Sequence, residues 1–156
     1  MIARAAFPVV RPLQTRWHDN DHYGHANNVV YYAWFDTAVN GWLIEASGRD
    51  VRELPAIGVV AETACRYLRP VGFPEPLEIG LAVSRLGRTS VTYRLAVLRA
   101  GEDEPAAIGR FVHVYVDAAG RRPTEVPAVL RAVLEPVRDE TARRFAAAAI
   151  DEAGLP

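Results

Sequence analysis

Between residues 28 and 45 the sequence NVVYYAWFDTAVNGWLIE puts apolar or aromatic side chains on nearly every side of a helix wound at about 3.6 residues per turn. The pattern predicts roughly five turns without a wide polar face, hence a helix buried nearly all round. Asn27 or Asn28 can cap its start, and Ser47-Gly48 supplies the stop. After Pro55 the period changes. Residues 57–69 have strand character and end at Pro70, and in 77–86 Leu77, Ile79, Leu81 and Val83 share one face. Leu86-Gly87-Arg88 turns the chain into 89–99, where Val91, Tyr93, Leu95 and Val97 are in phase. Gly101 to Pro105 turns it again into 106–117, where Ile108, Val112, Val114 and Val116 are in phase. Ahead of the helix, residues 8–17 are extended in character, with Pro8 and Pro12 marking an edge or irregular strand. Thr124 to Ala149 predicts one or two terminal helices interrupted by Pro136.

One long helix followed by an antiparallel meander is an α+β arrangement. A helix without a polar face needs cover, so the sheet is expected to curl around it. The side left open is expected to be closed by a second copy. At 156 residues the chain is expected to form a single domain over 1–156, with a core of about 8–118 and a helical tail of about 124–150.

Composition narrows the partners. Half of the residues are hydrophobic and 24% are charged, and 18 basic against 19 acidic residues leave a net charge of -1. That is globular composition without the basic excess that nucleic-acid binding draws on. The longest apolar run, Val29 to Phe35, is far too short to span a membrane, and no secretory pattern follows Met1. A soluble, cytoplasmic protein is expected. Cys65 is the only cysteine, which excludes an internal disulfide and any multi-cysteine zinc site within one chain. It reads as a small core residue.

The chemistry is concentrated in residues 17–28, WHDNDHYGHANN, which hold three of the four histidines and two carboxylates. Imidazoles and carboxylates together suit zinc or iron. These residues nevertheless lack the helical spacing of HExxH, and no later His-rich segment completes a shell. His113, alone in the last strand, reads as an ordinary sheet residue. Phosphate cradles and serine nucleophile elbows are absent. Carboxylate chemistry remains. Asp21 stands just before Gly24, where the backbone can turn sharply, and the helix start near Asn28 points free N–H groups and its positive dipole end at the same loop. A carboxylate so placed can attack a carbonyl or activate water while the N–H groups hold the oxyanion, which suits acyl transfer. Each residue also has a plainer reading: Asp19 can cap a turn or pair with an arginine, and Asn27 can merely cap the helix.

The stretch WHDNDHYGHANNVVYYAWFDTA resembles the opening signature of the hotdog-fold acyl-CoA thioesterases of the 4-hydroxybenzoyl-CoA thioesterase type. The matching positions are Asp19, Asp21, Gly24, His25, Asn27, Asn28, Tyr31, Phe35 and Asp36, and the resemblance extends from residue 14 to about 117. It implies a hotdog fold and hydrolysis of an acyl-CoA thioester to free acid and CoA, with no cofactor and no metal. It implies a homodimer or homotetramer whose partner is the acyl-CoA substrate, with neither nucleic acid nor membrane.

Residue by residue, Asp21 matches the nucleophile or general base, His25 an orienting or proton-transferring histidine, and Asn28 the main-chain N–H that polarises the carbonyl. Tyr23 departs from the related acyl-carrier-protein thioesterases, which have asparagine there, so a triad of their type is not supported. Substrate contacts are expected at Glu62, which either faces the cavity or is a solvated strand residue, and at Arg88, which either meets CoA phosphates or is an exposed turn residue. Tyr31, with Tyr32, Trp34 and Phe35, lines either an acyl pocket or simply the core. Asp36 is expected to need a structural partner. Two alternatives stay open: a hydratase or dehydratase on the same fold, whose signature sets Asp and His five apart rather than four, and a non-catalytic acyl-CoA-binding protein.

Overall fold

The computed structural model describes residues 2–139. Strand β1 (Val9–Leu13) precedes helix α1 (Asn28–Ser47), and β2 (Ala56–Tyr67), β3 (Leu77–Leu86), β4 (Ser90–Arg99) and β5 (Pro105–Asp117) follow, with a short α2 (Ala128–Leu134) after them. The five strands make one antiparallel sheet curved over α1. Only β3, β4 and β5 form the expected meander. The strand order is β1-β3-β4-β5-β2, because residues 68–76 carry the chain across the end of the sheet and leave β2 beside β5 instead of β3. β1 and β2 are therefore the edges.

Local chemistry sets the helix ends. The Asn27 side chain accepts from Val29 N–H at 3.2 Å, and Gly48, with φ of 63°, donates its N–H to Ile44 O at 2.9 Å, a left-handed cap that glycine adopts without Cβ strain. Tyr31, Trp34, Phe35, Ala38, Val39, Trp42 and Leu43 are buried against the sheet and α2. Burial is not complete, however. Val29, Ala33, Asp36, Thr37 and Ile44 form an exposed stripe, since one sheet and one short helix cover only part of a cylinder. Asp36 thus avoids the cost of burial, and its carboxylate accepts from the Asn40 amide at 3.1 Å.

The predicted core faces of β3 and β4 are the observed ones: Leu77, Ile79, Leu81, Val83, Val91, Tyr93, Leu95 and Val97 all pack in the main core. In β5 the other set faces the helix. Phe111 and Tyr115 lie in the core, opposite Tyr93 and beside Gly58, while Ile108 and Val116 fall on the outer face. The β-branched periodicity of β5 misleads because the helix-facing positions include Gly109, where a Cβ would come within 2.5 Å of the Phe35 ring. On the outer face Phe7 packs with Ala82, Ala96 and Leu98. Buried Arg94 lies there too, bonded to Asp139 and Ala6 O at 2.9 Å each and 5.0 Å from the Phe7 ring centroid.

The predicted terminal helices begin with α2, whose Leu130 and Leu134 are buried, and Pro136 falls in a 3-10 turn, Glu135–Val137. Beyond it Arg138 bridges to Val83, so the chain takes up the β3 edge where β1 has ended. Residues 140–149 of that prediction lie outside the described residues.

Candidate active site

The loop of residues 16–28 is built on a buried carboxylate. Asp19 is fully buried and accepts from the Arg16 main-chain N–H at 2.8 Å and from its guanidinium at 2.8 and 3.1 Å. Burial alone would push the Asp19 carboxyl up. The Arg16 bonds, with a contribution from the Trp34 indole, outweigh it and hold the group below the usual carboxylate range. Asp19 is thus the structural partner of an arginine, and its carbonyl accepts from Asn27 N–H at 2.8 Å, which draws the loop closed at the helix start.

Inside that closure Asp21 N–H donates to His25 O at 2.8 Å and Gly24 N–H to Asp21 O at 3.2 Å. Gly24 has φ of 87°, a conformation that strains any residue with a Cβ. The Asp21 carboxylate accepts from Tyr23 N–H at 2.8 Å, which fixes its rotamer and leaves its other oxygen free of that bond. The Asn20 side chain clasps Phe73, accepting from its N–H at 2.9 Å and donating to its carbonyl at 3.3 Å, and Ala26 N–H donates to Val71 O at 2.8 Å. The neighbouring Gly72 lets the two segments meet, since a Cβ there would lie 2.8 Å from Asn20 Oδ1.

A cavity of about 630 Å³ opens beside this loop. Asp21, Tyr23 and His25 line it from the loop, Asn28 and Tyr31 from the start of α1, and Tyr67 to Pro70 from the end of β2. Asn28 is the first residue of the helix, and no hydrogen bond from its N–H is found among the described residues. That N–H is one of the four that a helix cannot satisfy itself, and it lies at the positive end of the dipole. The structure thus brings together a carboxylate, an imidazole and a helix N-terminus. A carbonyl carbon set between Asp21 and Asn28 could be attacked from one side while its oxygen is held from the other.

The remaining sequence candidates are placed differently. Tyr31 is buried, with ring contacts to Trp34 and Tyr67 at 5.0 and 4.9 Å, and burial pushes its hydroxyl up to about 12. It serves core and cavity wall at once. Glu62 does not line this cavity. It is exposed on β2 and ion-paired with Arg110. Arg88 is also remote: it lies on the β3–β4 turn, about 20 Å along the ladder from the residues level with Tyr67, and faces Glu125 at 3.5 Å. Cys65 is half-buried, and burial pushes its thiol up to about 11, so it stays protonated and unreactive near neutrality. His18, His22 and His25 are exposed, and no group of three or more metal-ligating side chains is gathered among the described residues.

Sequence reasoning missed Tyr67. Its hydroxyl, pushed well up by burial, donates to Asn28 O at 3.1 Å. The one sequence signal is a lone aromatic residue closing the strand shortly before Pro70.

The model of the thioesterase-like superfamily matches residues 15–134. Among solved structures, the PA5185 protein from Pseudomonas aeruginosa strain PAO1 is 48% identical, with a TM-score of 0.85 over 88% of this chain and 96% of that one. A thioesterase from Thermus thermophilus, solved in complex with coenzyme A and Zn, is 30% identical, with a TM-score of 0.71 over 85% of this chain and 95% of that one. The BH1999 gentisyl-coenzyme A thioesterase, 21% identical, shares the fold with a TM-score of 0.71 over 81% of this chain and 99% of that one. The curated proteins offer no match. No helix among the described residues is long and apolar enough to cross a membrane.

Proposed function

The chain belongs to the thioesterase-like superfamily and is a thioester hydrolase of the hotdog fold, and from that premise we propose that it hydrolyses an acyl-CoA at the Asp21 cavity. The observation that carries this reading is the shared cavity of Asp21, His25 and the first N–H of α1. The Thermus thermophilus thioesterase, complexed with coenzyme A, supports CoA as the thiol carrier.

The thioester carbonyl oxygen rests on Asn28 N–H, where the charge of the tetrahedral intermediate is held. The Asp21 carboxylate then acts in one of two ways. It attacks the carbonyl carbon to give a mixed anhydride that water opens, or it takes a proton from a water that attacks in its place. Either way the carbon–sulfur bond breaks, the thiolate gains a proton and the products are free acid and CoA. His25 supplies or relays that proton. A thioester is already activated, so this chemistry calls for no cofactor. Tyr31 forms the wall beside the reacting carbon, and Arg88 lies about 20 Å along the sheet from the residues level with Tyr67. β2 is a 12-residue edge strand beside the exposed stripe of α1, which supports a homodimer or larger assembly built on that side.

Thiol release from a panel of acyl-CoAs tests the reading. Asp21→Ala and Asp21→Asn are expected to lower kcat by about 100- to 10,000-fold. Unchanged turnover in both variants would remove Asp21 from the mechanism.

A further inference from the structure

A second, smaller cavity of about 170 Å³ lies at the other end of α1, between Asn40 and Leu43 of the helix, Gly58 of β2 and His113 and Tyr115 of β5. Leu43, Val51, Ile57 and Leu130 give it apolar walls, into which His113 and Tyr115 bring polar atoms. His113 is 2% exposed, and no hydrogen bond to either of its ring nitrogens is found among the described residues: Nε2 is closed off, and Nδ1 is the one turned toward Gly58. Next to it the Tyr115 hydroxyl is approached by that of Tyr93, which makes no well-aligned bond of its own. Buried polar groups are normally satisfied, and an orphaned one calls for an explanation.

Three features specify what could satisfy it. The opening is at Gly58: a Cβ there would lie 3.2 Å from Tyr115 Cζ and 3.4 Å from both Tyr115 Oη and His113 Nδ1, so the missing side chain bares these groups toward the exposed edge. The space exceeds what one bridging water needs, since a water takes about 30 Å³ of liquid volume. The one cation of the lining is already matched, and the nearest anion lies outside the lining. Arg52 is forked onto Asp50 at 2.6 and 2.9 Å, and Asp36 accepts from Asn40. Burial pushes the His113 imidazole down to about 4, against a smaller opposing pull from Asp36, so it is a neutral donor–acceptor at physiological pH. The lining offers a cation no carboxylate and an anion no free cation, and a wholly apolar ligand would leave His113 Nδ1 unsatisfied.

We propose that this cavity receives the uncharged, hydroxyl-bearing end of a long acyl group, read by His113 and the Tyr115 hydroxyl with Gly58 as the opening. The proposal rests on the acyl-CoA reading of the Asp21 cavity. The 12 steps along α1 from Asn28 to Asn40 rise about 18 Å, which a long acyl chain spans and a short one does not. Between the two cavities Ala33 and Thr37 of the helix and Val60 and Thr63 of β2 are exposed within the chain, on the side where a second copy is proposed to pack, so that copy would roof the acyl path.

The test measures binding, so that it does not depend on turnover. Non-hydrolysable S-alkyl-CoA thioethers of increasing length are compared by isothermal titration with counterparts bearing a terminal hydroxyl. Wild-type protein is expected to bind the longest hydroxylated thioether about tenfold more tightly than its plain counterpart. Tyr115→Phe and His113→Phe should each erase most of that preference, and Gly58→Val should abolish it. Plain-chain affinity is expected to hold in Tyr115→Phe, which serves as the check on folding. Equal affinities in the wild type, or a preference that survives in Tyr115→Phe and Gly58→Val, would overturn the proposal. Thiol release from the matching thioesters is scored separately: its absence would refute hydrolysis at Asp21, while a binding preference would still establish the subsite.

Discussion

The Tyr67 hydroxyl donates to the main-chain carbonyl of Asn28 at 3.1 Å, tying the end of the edge strand to the peptide that opens α1. The same residue therefore walls the cavity and steadies the helix start whose N–H is assigned to the oxyanion. Tyr67→Phe keeps the ring contact with Tyr31 and removes this bond together with the hydroxyl's weaker interactions with Cys65 and Tyr32. It is expected to lower kcat about three- to tenfold, with little change in unfolding midpoint, as measured by thiol release and urea titration.

Asp19 and Asp21, two residues apart, should respond to mutation in opposite ways. Asp19→Ala removes three charge-assisted hydrogen bonds from a fully buried carboxylate and is expected to cost about 1–3 kcal/mol of stability, read from chemical denaturation. Because the folded pKa of Asp19 is lowered, its contribution is present above the ordinary carboxylate range and fades as pH falls through the folded value. The difference between wild type and Asp19→Ala should narrow in acid. Asp21→Asn should instead leave stability within about 0.5 kcal/mol while lowering kcat by about 100- to 10,000-fold.

His113 contributes a pH dependence of its own. Its folded pKa of about 4 is below the ordinary value of 6.5, so the unfolded chain takes up the proton first and stability is lost as pH falls from 6.5 toward 4. The loss amounts to about 2–3 kcal/mol by pH 4.5. Urea midpoints at pH 7.5 and 4.5 should show His113→Phe falling less than the wild type. Parallel losses would mean that His113 does not titrate in this window.

Gly109 faces the ring of Phe35, where a Cβ would meet three ring atoms at 2.5 to 3.0 Å. Gly109→Ala is expected to destabilise by about 1–3 kcal/mol through overpacking. Combining it with Phe35→Leu should recover part of the loss, a coupling that a double-mutant cycle would expose.

These positions show why the sequence is legible in some places and opaque in others. The α1 boundaries, the β3 and β4 core faces and the Asp21 loop can be read because each rests on local signals: caps, alternation and a dense cluster of polar residues. Pairing of β2 with β5 cannot be read, because strand order depends on contacts distant in sequence. The β5 face misleads because a glycine and a histidine occupy its inner positions while valines occupy the outer ones. Glu62 and Arg88 have suitable chemistry, but a sequence does not show that one is held by Arg110 and the other lies at the opposite end of the sheet.

The Asp21 loop is held chiefly by main-chain bonds, by the buried Asp19 pair and by the Asn20 clasp on Phe73. Few of these bonds involve the side chains of Tyr23, Leu68 or Arg69 around the mouth. The acceptance of new substrates can therefore be altered at the rim while the reacting groups stay where they are, which makes this scaffold a practical starting point for redirecting a hydrolase without rebuilding its chemistry.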